Sequence, residues 1–149
     1  MIKGFDMKKT VALLFLASSM TVAAALGENW TSVNFPQDDQ HRGIDMGAMT
    51  YVDKGTIKKQ GNKTLITGIT TFPNGRTAHG VNYTSGRSIH ECDCRDGSHN
   101  VIAATMFAGP DATGKNLGAV QKPVHRNYVV WALHSKRICQ AACGQPIKP

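Results

Sequence analysis

A chain of 149 residues with a net charge of +7, 41% hydrophobic and 18% charged residues has room for one hydrophobic core, and it is too apolar for a disordered chain. Its composition, with 7% aromatics and no Gly-X-Y or heptad period, excludes collagen and coiled coil. No apolar run beyond the N-terminus approaches the length of a membrane span.

The chain opens on an export signal. Met7-Lys8-Lys9 supplies a short positive region, Val11 to Ala17 a continuous apolar stretch, and Ala23-Ala24-Ala25 a small-residue cleavage pattern, so residues 1–25 read as a signal peptide with Met7 as the start. Ser18, Ser19 and Thr21 make the segment too short and too polar for a bilayer span. Cleavage after Ala25 removes Lys3, Lys8, Lys9 and Asp6 and leaves 124 residues with a charge of +5. With no cysteine near that point to accept a lipid, the product is expected in the periplasm or at the outer surface without a lipid or transmembrane anchor. Residues 26–48 read as a polar arm, rich in Pro, Asp, Gln and Gly from Asn34 to Gly47. Ordered structure is expected from Met49, giving one domain over 49–149.

Within that domain, Thr50 to Asp53 is strand-prone and breaks at Lys54-Gly55, with Thr56-Ile57-Lys58 as a short extension. After the Gly61-Asn62 turn, Lys63 to Phe72 places Leu65, Ile66, Ile69 and Phe72 among four threonines, a strand with a bulge expected at Gly68. Pro73-Asn74-Gly75 reads as its hairpin turn. Thr77 to Thr84 and Arg87 to Cys94 follow as strands broken at Ser85-Gly86; Val101 to Phe107 is the most apolar strand, ended by Gly109-Pro110-Asp111; Leu117 to Val120 is the last. Tyr128 to Leu133 is a short apolar run around Trp131, itself read as a core residue. Connections this short require an antiparallel sheet of about six strands. The closing helix runs from a Ser135 N-cap through Lys136 to Cys143, with Gly144 in the C′ position and Pro146 beyond. Its Ile138, Cys139, Ala142 and Cys143 share the face that packs on the sheet, an α+β arrangement.

Four cysteines in an exported chain read as two disulfides. Cys92 and Cys94, two apart on a strand, and Cys139 and Cys143, four apart on a helix, have matching same-side spacings, so two bridges are expected to clamp helix to sheet. Cys92–Cys143 with Cys94–Cys139, and the opposite pairing, are equally open. The rival is a metal site drawing on His90, Cys92, Cys94 and His99, but neither cysteine spacing is that of a zinc knuckle. Redox catalysis lacks a Cys-x-x-Cys at a helix N-terminus.

From Lys54 onward thirteen Lys or Arg face only Glu91, Asp93, Asp96 and Asp111, so the body is basic and suited to acidic partners. The candidate binding cations are Lys58, Lys59, Lys63, Arg76, Arg87 and Arg95. No nucleic-acid motif is present, and export separates the chain from such partners. His41, His79, His90, His99, His125 and His134 read as exposed strand or loop residues, with no catalytic motif around them, so neither an enzyme nor a cofactor or resident metal is expected.

Trp30, Tyr51-Val52-Asp53 followed by Thr56-Ile57, the strand ending at Glu91-Cys92, the strand through Phe107, Trp131, and the helix bearing Cys139 and Cys143 together resemble the surface-adhesin protein E family of Gram-negative bacteria. The resemblance implies a single curved antiparallel sheet with a C-terminal helix held on its concave side by a disulfide. It also implies capture of host extracellular matrix or plasma proteins through basic segments, and homodimerisation. This chain departs from it by its second cysteine pair and by having no lipid-attachment cysteine. The alternative is a periplasmic structural or inhibitory protein with a bacterial partner or an acidic envelope component.

Overall fold

The computed structural model describes residues 29–35, 47–120 and 129–149, with side chains in the helix from His134 onward. The signal segment, most of the arm, and the Trp131 side chain lie outside the described residues. Six strands follow in chain order: β1 (Trp30–Ser32), β2 (Met49–Gln60), β3 (Lys63–Ala78), β4 (Val81–Asp93), β5 (His99–Phe107) and β6 (Asn116–Val120). They form one antiparallel sheet in the order β1-β2-β3-β4-β5-β6, and α1 (Val129–Ala142) packs on it. The sheet begins earlier than Met49: Trp30–Ser32, within the stretch read as a polar arm, pairs with Asp53–Tyr51.

Strand alternation sorts the sheet into a face covered by α1 and an opposite face, on which Ile69 is also buried. Thr50 and Val52 on β2, Thr64, Ile66, Gly68 and Thr70 on β3, and His90 and Cys92 on β4 share cross-strand rows and are all buried. Ile138, Cys139, Ala141 and Ala142 of the helix meet them, with Val33, to form the core, and Ile57, Cys143 and Ile147 pack at its margin. Among the described residues, four of the ten buried hydrophobic residues are Ala or Cys, so the two disulfides cross-link a part of the core built from small side chains.

The expected bulge at Gly68 is absent: Gly68 pairs with Val52 on one side and Ser88 on the other. Glycine is required there by His90, whose Nε2 lies 2.7 Å from where a Cβ would stand. His90 is fully buried and its Nδ1 is 2.9 Å from His99 Nε2, so it has nowhere to retreat. Gly68→Ala is expected to cost about 1–3 kcal/mol through overpacking, read as a lower urea midpoint with an unchanged slope.

The register shifts lie elsewhere. Lys54–Ile57 of β2 stand against Ile66 alone on β3, and Thr56 Oγ1 accepts the Thr67 N–H in place of a ladder carbonyl. Pro73-Asn74-Gly75 is also an irregularity inside β3 and not a turn; the hairpin closes at His79-Gly80, both with positive φ (51° and 75°), the conformation that a two-residue primed turn demands. Nor does β4 break at Ser85-Gly86. Buried Ser85 donates to the Gly109 carbonyl (2.6 Å) and accepts from Ala112 N–H (2.9 Å), while Thr71 Oγ1 donates to Asp111 Oδ1 (2.8 Å). The β5–β6 loop is thereby pinned over the Thr71–Ser85 row, which stabilises left-handed φ values at Asp111 and Ala112.

The helix starts six residues before its expected N-cap. Val129–Leu133, read only as an apolar run, forms its first turns, and Ser135 is interior. Its C-terminus agrees with expectation: Gly144 has φ 68°, Gly144 N–H donates to Ala141 O (3.2 Å) and Gln145 N–H to Gln140 O (2.8 Å), a Schellman cap.

Candidate functional site

The two cysteine pairs come together as the same-side spacing requires. Cys92 bonds Cys139 and Cys94 bonds Cys143, with Cα–Cα distances of 5.5 and 5.6 Å. Of the two open connectivities this is the one in which the lower-numbered strand cysteine takes the lower-numbered helix cysteine. With every sulfur in a disulfide the thiolate set of the metal reading is spent. Among the described residues no group of three or more His, Cys, Asp or Glu is placed to hold a metal ion.

The β2–β3 and β4–β5 turns meet at the same end of the sheet as this clamp, since Lys63 pairs with Asp93 across β3 and β4. Lys58, Lys59, Lys63 and Arg95 are gathered at that end; Lys58, Lys59 and Arg95 are exposed. Arg76 and Arg87 are elsewhere. Arg76 stands near the far end of the sheet, 5.0 Å over the Phe72 ring, and Arg87 lies midway along β4, 6.0 Å from the Phe107 ring centroid. Four of the six candidate cations therefore stand at one end of the sheet, with Lys58 and Lys59 on opposite faces of β2, and the other two are separate arginine–aromatic pairs.

Asp93, which sequence reading passed over, organises the cluster. Its carboxylate accepts from Arg95 Nη2 (2.7 Å), Nε (3.1 Å) and backbone N–H (3.0 Å), and Lys63 Nζ stands 3.5 Å away. The side-chain hydrogen bonds from Arg95, then its backbone N–H, hold the Asp93 carboxyl well below the ordinary carboxylate range, and the same pair raises Arg95. Asp96 is lowered chiefly by the Ser98 N–H on its Oδ1 (2.8 Å). Part of the positive charge at this end is thus neutralised locally by Asp93. A signal for Asp93 existed: an aspartate two residues before Arg95 in a glycine-ended turn is a ready Asx cap.

Three basic side chains among the described residues are buried. His90 and His134 are buried, contrary to the expectation that all six histidines are exposed; His79 is exposed, His99 half-buried, and His41 and His125 lie outside the described residues. Burial, then the neighbouring His99, pushes His90 down from 6.5 to about 3. Thr50 Oγ1 links Thr70 Oγ1 (2.9 Å) to His134 Nδ1 (3.3 Å), fixing the helix to β2 and β3. Arg137, also buried, donates to Val33 O (3.1 Å) and Lys148 O (3.2 Å) and stacks 4.5 Å over Phe35, so one guanidinium joins the first strand's exit to the C-terminal tail.

The family model described as surface-adhesin protein E matches residues 30–144, from the first residue of β1 to the glycine that caps α1. Neither a curated protein nor a solved structure matches the chain.

Proposed function

Since this chain belongs to the surface-adhesin protein E family, we propose that it is a non-enzymatic binding protein of the bacterial envelope. It captures host matrix or plasma proteins through the basic end of its sheet. The family match across the whole sheet and its clamp carries this reading. Support comes from the exposed Lys58 and Lys59 beside Lys63 and Arg95, a cluster suited to acidic protein surfaces. No helix among the described residues is long and apolar enough to cross a membrane.

Two measurements test the proposal together. Antibody against the folded domain should label intact cells without permeabilisation, and the purified domain should bind immobilised matrix or plasma glycoproteins. That binding should weaken at least about tenfold between roughly 0.05 and 0.5 M salt, and again in a Lys58→Glu/Lys59→Glu variant. Labelling that needs permeabilised cells would sink the adhesin reading and favour a periplasmic bacterial partner. Salt-independent binding would remove the lysine end from the mechanism.

A further inference from the structure

The two bridges are alike in spacing but stand in different surroundings. Cys92 and Cys139 are buried in the core, whereas Cys94 is exposed just beyond β4 and Cys143 is half-buried just beyond α1. A thiolate from solution can therefore reach the second bridge in the native state, and reaches the first only when helix and sheet part. The second bridge is also the one that the clamp can spare. With Cys92–Cys139 closed, it adds a small ring, with Asp93 on the strand side and Gln140 to Ala142 on the helix side, and so constrains the unfolded chain little. When it opens, α1 stays held by Cys92–Cys139, by Arg137 on the Val33 and Lys148 carbonyls, and by the Thr50–His134 contact.

We propose that Cys94–Cys143 is a site of reversible thiol–disulfide exchange and that its partner is a dithiol. One thiolate of the dithiol attacks the sulfur of Cys94, the more exposed residue of the pair. A mixed disulfide forms, the Cys94–Cys143 bond breaks, and Cys143 leaves as a thiolate that takes up a proton. The second thiol of the reductant, having lost its proton, then attacks the reductant's own sulfur in the mixed disulfide. That closes the reductant's disulfide and releases Cys94 as a thiolate, whose sulfur lies 3.5 Å from the Thr64 hydroxyl before it too is protonated. The dithiol thus loses two electrons and two protons, and the bridge gains them. A monothiol stalls at the mixed disulfide. Cys143, kept with its Cα 5.6 Å from that of Cys94 while the core bridge is closed, re-attacks Cys94 at a high effective concentration and expels the monothiol. The inference does not depend on what the lysine end of the sheet binds.

The test treats the folded, oxidised protein with dithiothreitol, quenches with acid at intervals, alkylates the free thiols and locates them by peptide mass spectrometry. Cys94 and Cys143 are expected to be labelled together and at least about tenfold faster than Cys92 and Cys139, with the circular dichroism spectrum unchanged while only that pair is open. Glutathione at equal thiol concentration should give at least about tenfold less of the open pair, and oxidised dithiothreitol should restore the bridge. In the Cys94→Ala/Cys143→Ala variant the remaining bridge should stay as slow to open as in the parent chain. Simultaneous opening of both bridges, earlier opening of Cys92–Cys139, resistance of both to dithiothreitol, or loss of the native spectrum as Cys94–Cys143 opens would each overturn the proposal. Equal reduction by glutathione would overturn the dithiol assignment.

Discussion

Replacing all four cysteines by alanine is expected to leave a chain that does not fold at 37 °C, whereas removing either pair alone is expected to leave a folded, weakened domain. The bridges span 47 and 49 residues, and one loop of that size constrains the unfolded chain by about 4 kcal/mol. The second bridge closes a much shorter additional ring, because its partner already holds helix and strand together, and so contributes less. The two are therefore strongly non-additive: whichever pair is removed, the survivor retains most of the loop-closure effect. Of the two single-pair variants, loss of Cys92–Cys139 is the more damaging, since both sulfurs sit in the core while Cys94 is exposed. Urea unfolding of the two Cys→Ala pair variants and the quadruple variant checks this. Equal, additive losses would mean that the bridges act locally and not through a shared loop.

Acid should weaken the fold well before carboxylates ordinarily titrate. His90 is held neutral by burial and by His99, with its folded value at about 3 against 6.5 unfolded. A depressed histidine favours the folded state fully above 6.5; as pH falls below that, the unfolded chain takes up a proton that the native protein refuses. Stability then declines by up to roughly 1.4 kcal/mol per pH unit until the folded value is reached. Asp93, held low by Arg95, acts in the same direction: its contribution is present above the ordinary carboxylate range and is lost on further acidification. Tm measured from pH 7.5 to 4 should fall progressively, and His90→Gln should flatten the slope between 6.5 and 4.5 even if it lowers Tm at neutral pH. An unchanged slope in that variant would place the acid sensitivity elsewhere.

The strands were legible wherever one face is buried and the other is not, as in Lys63–Phe72, because alternation is what burial under a helix imposes. The turn at Pro73-Asn74-Gly75 was misread for a reason visible only in the assembled sheet. Pro73 lies just beyond Thr71, where β3 has lost its β2 neighbour, so the missing N–H breaks no ladder bond there. Local turn chemistry gave way to register. The early helix start was hidden similarly, since Val129 and Val130 carry strand preference although their backbone is helical. The clamp was legible as geometry but not as connectivity, because matched spacings admit both pairings equally. The basic residues were legible as a list. Their division into an aspartate-bound cluster and two aromatic-backed arginines depends on which strand ends meet, and no local signal records that.

The paired bridges also determine how the molecule bears load. Tension applied between β1 and the C-terminal tail passes from β4 directly into α1 through sulfur, bypassing β5, β6 and everything else between Cys92 and Cys139. Only the roughly 60 residues from Trp30 to Cys92 and the short tail after Cys143 can pay out, about 200 Å of slack at full extension. The remainder acts as an inextensible link, so tension can unravel β1 to β4 with Lys58, Lys59 and Lys63, whereas Arg95, β5 and β6 lie in the bridged loop and bear none of it.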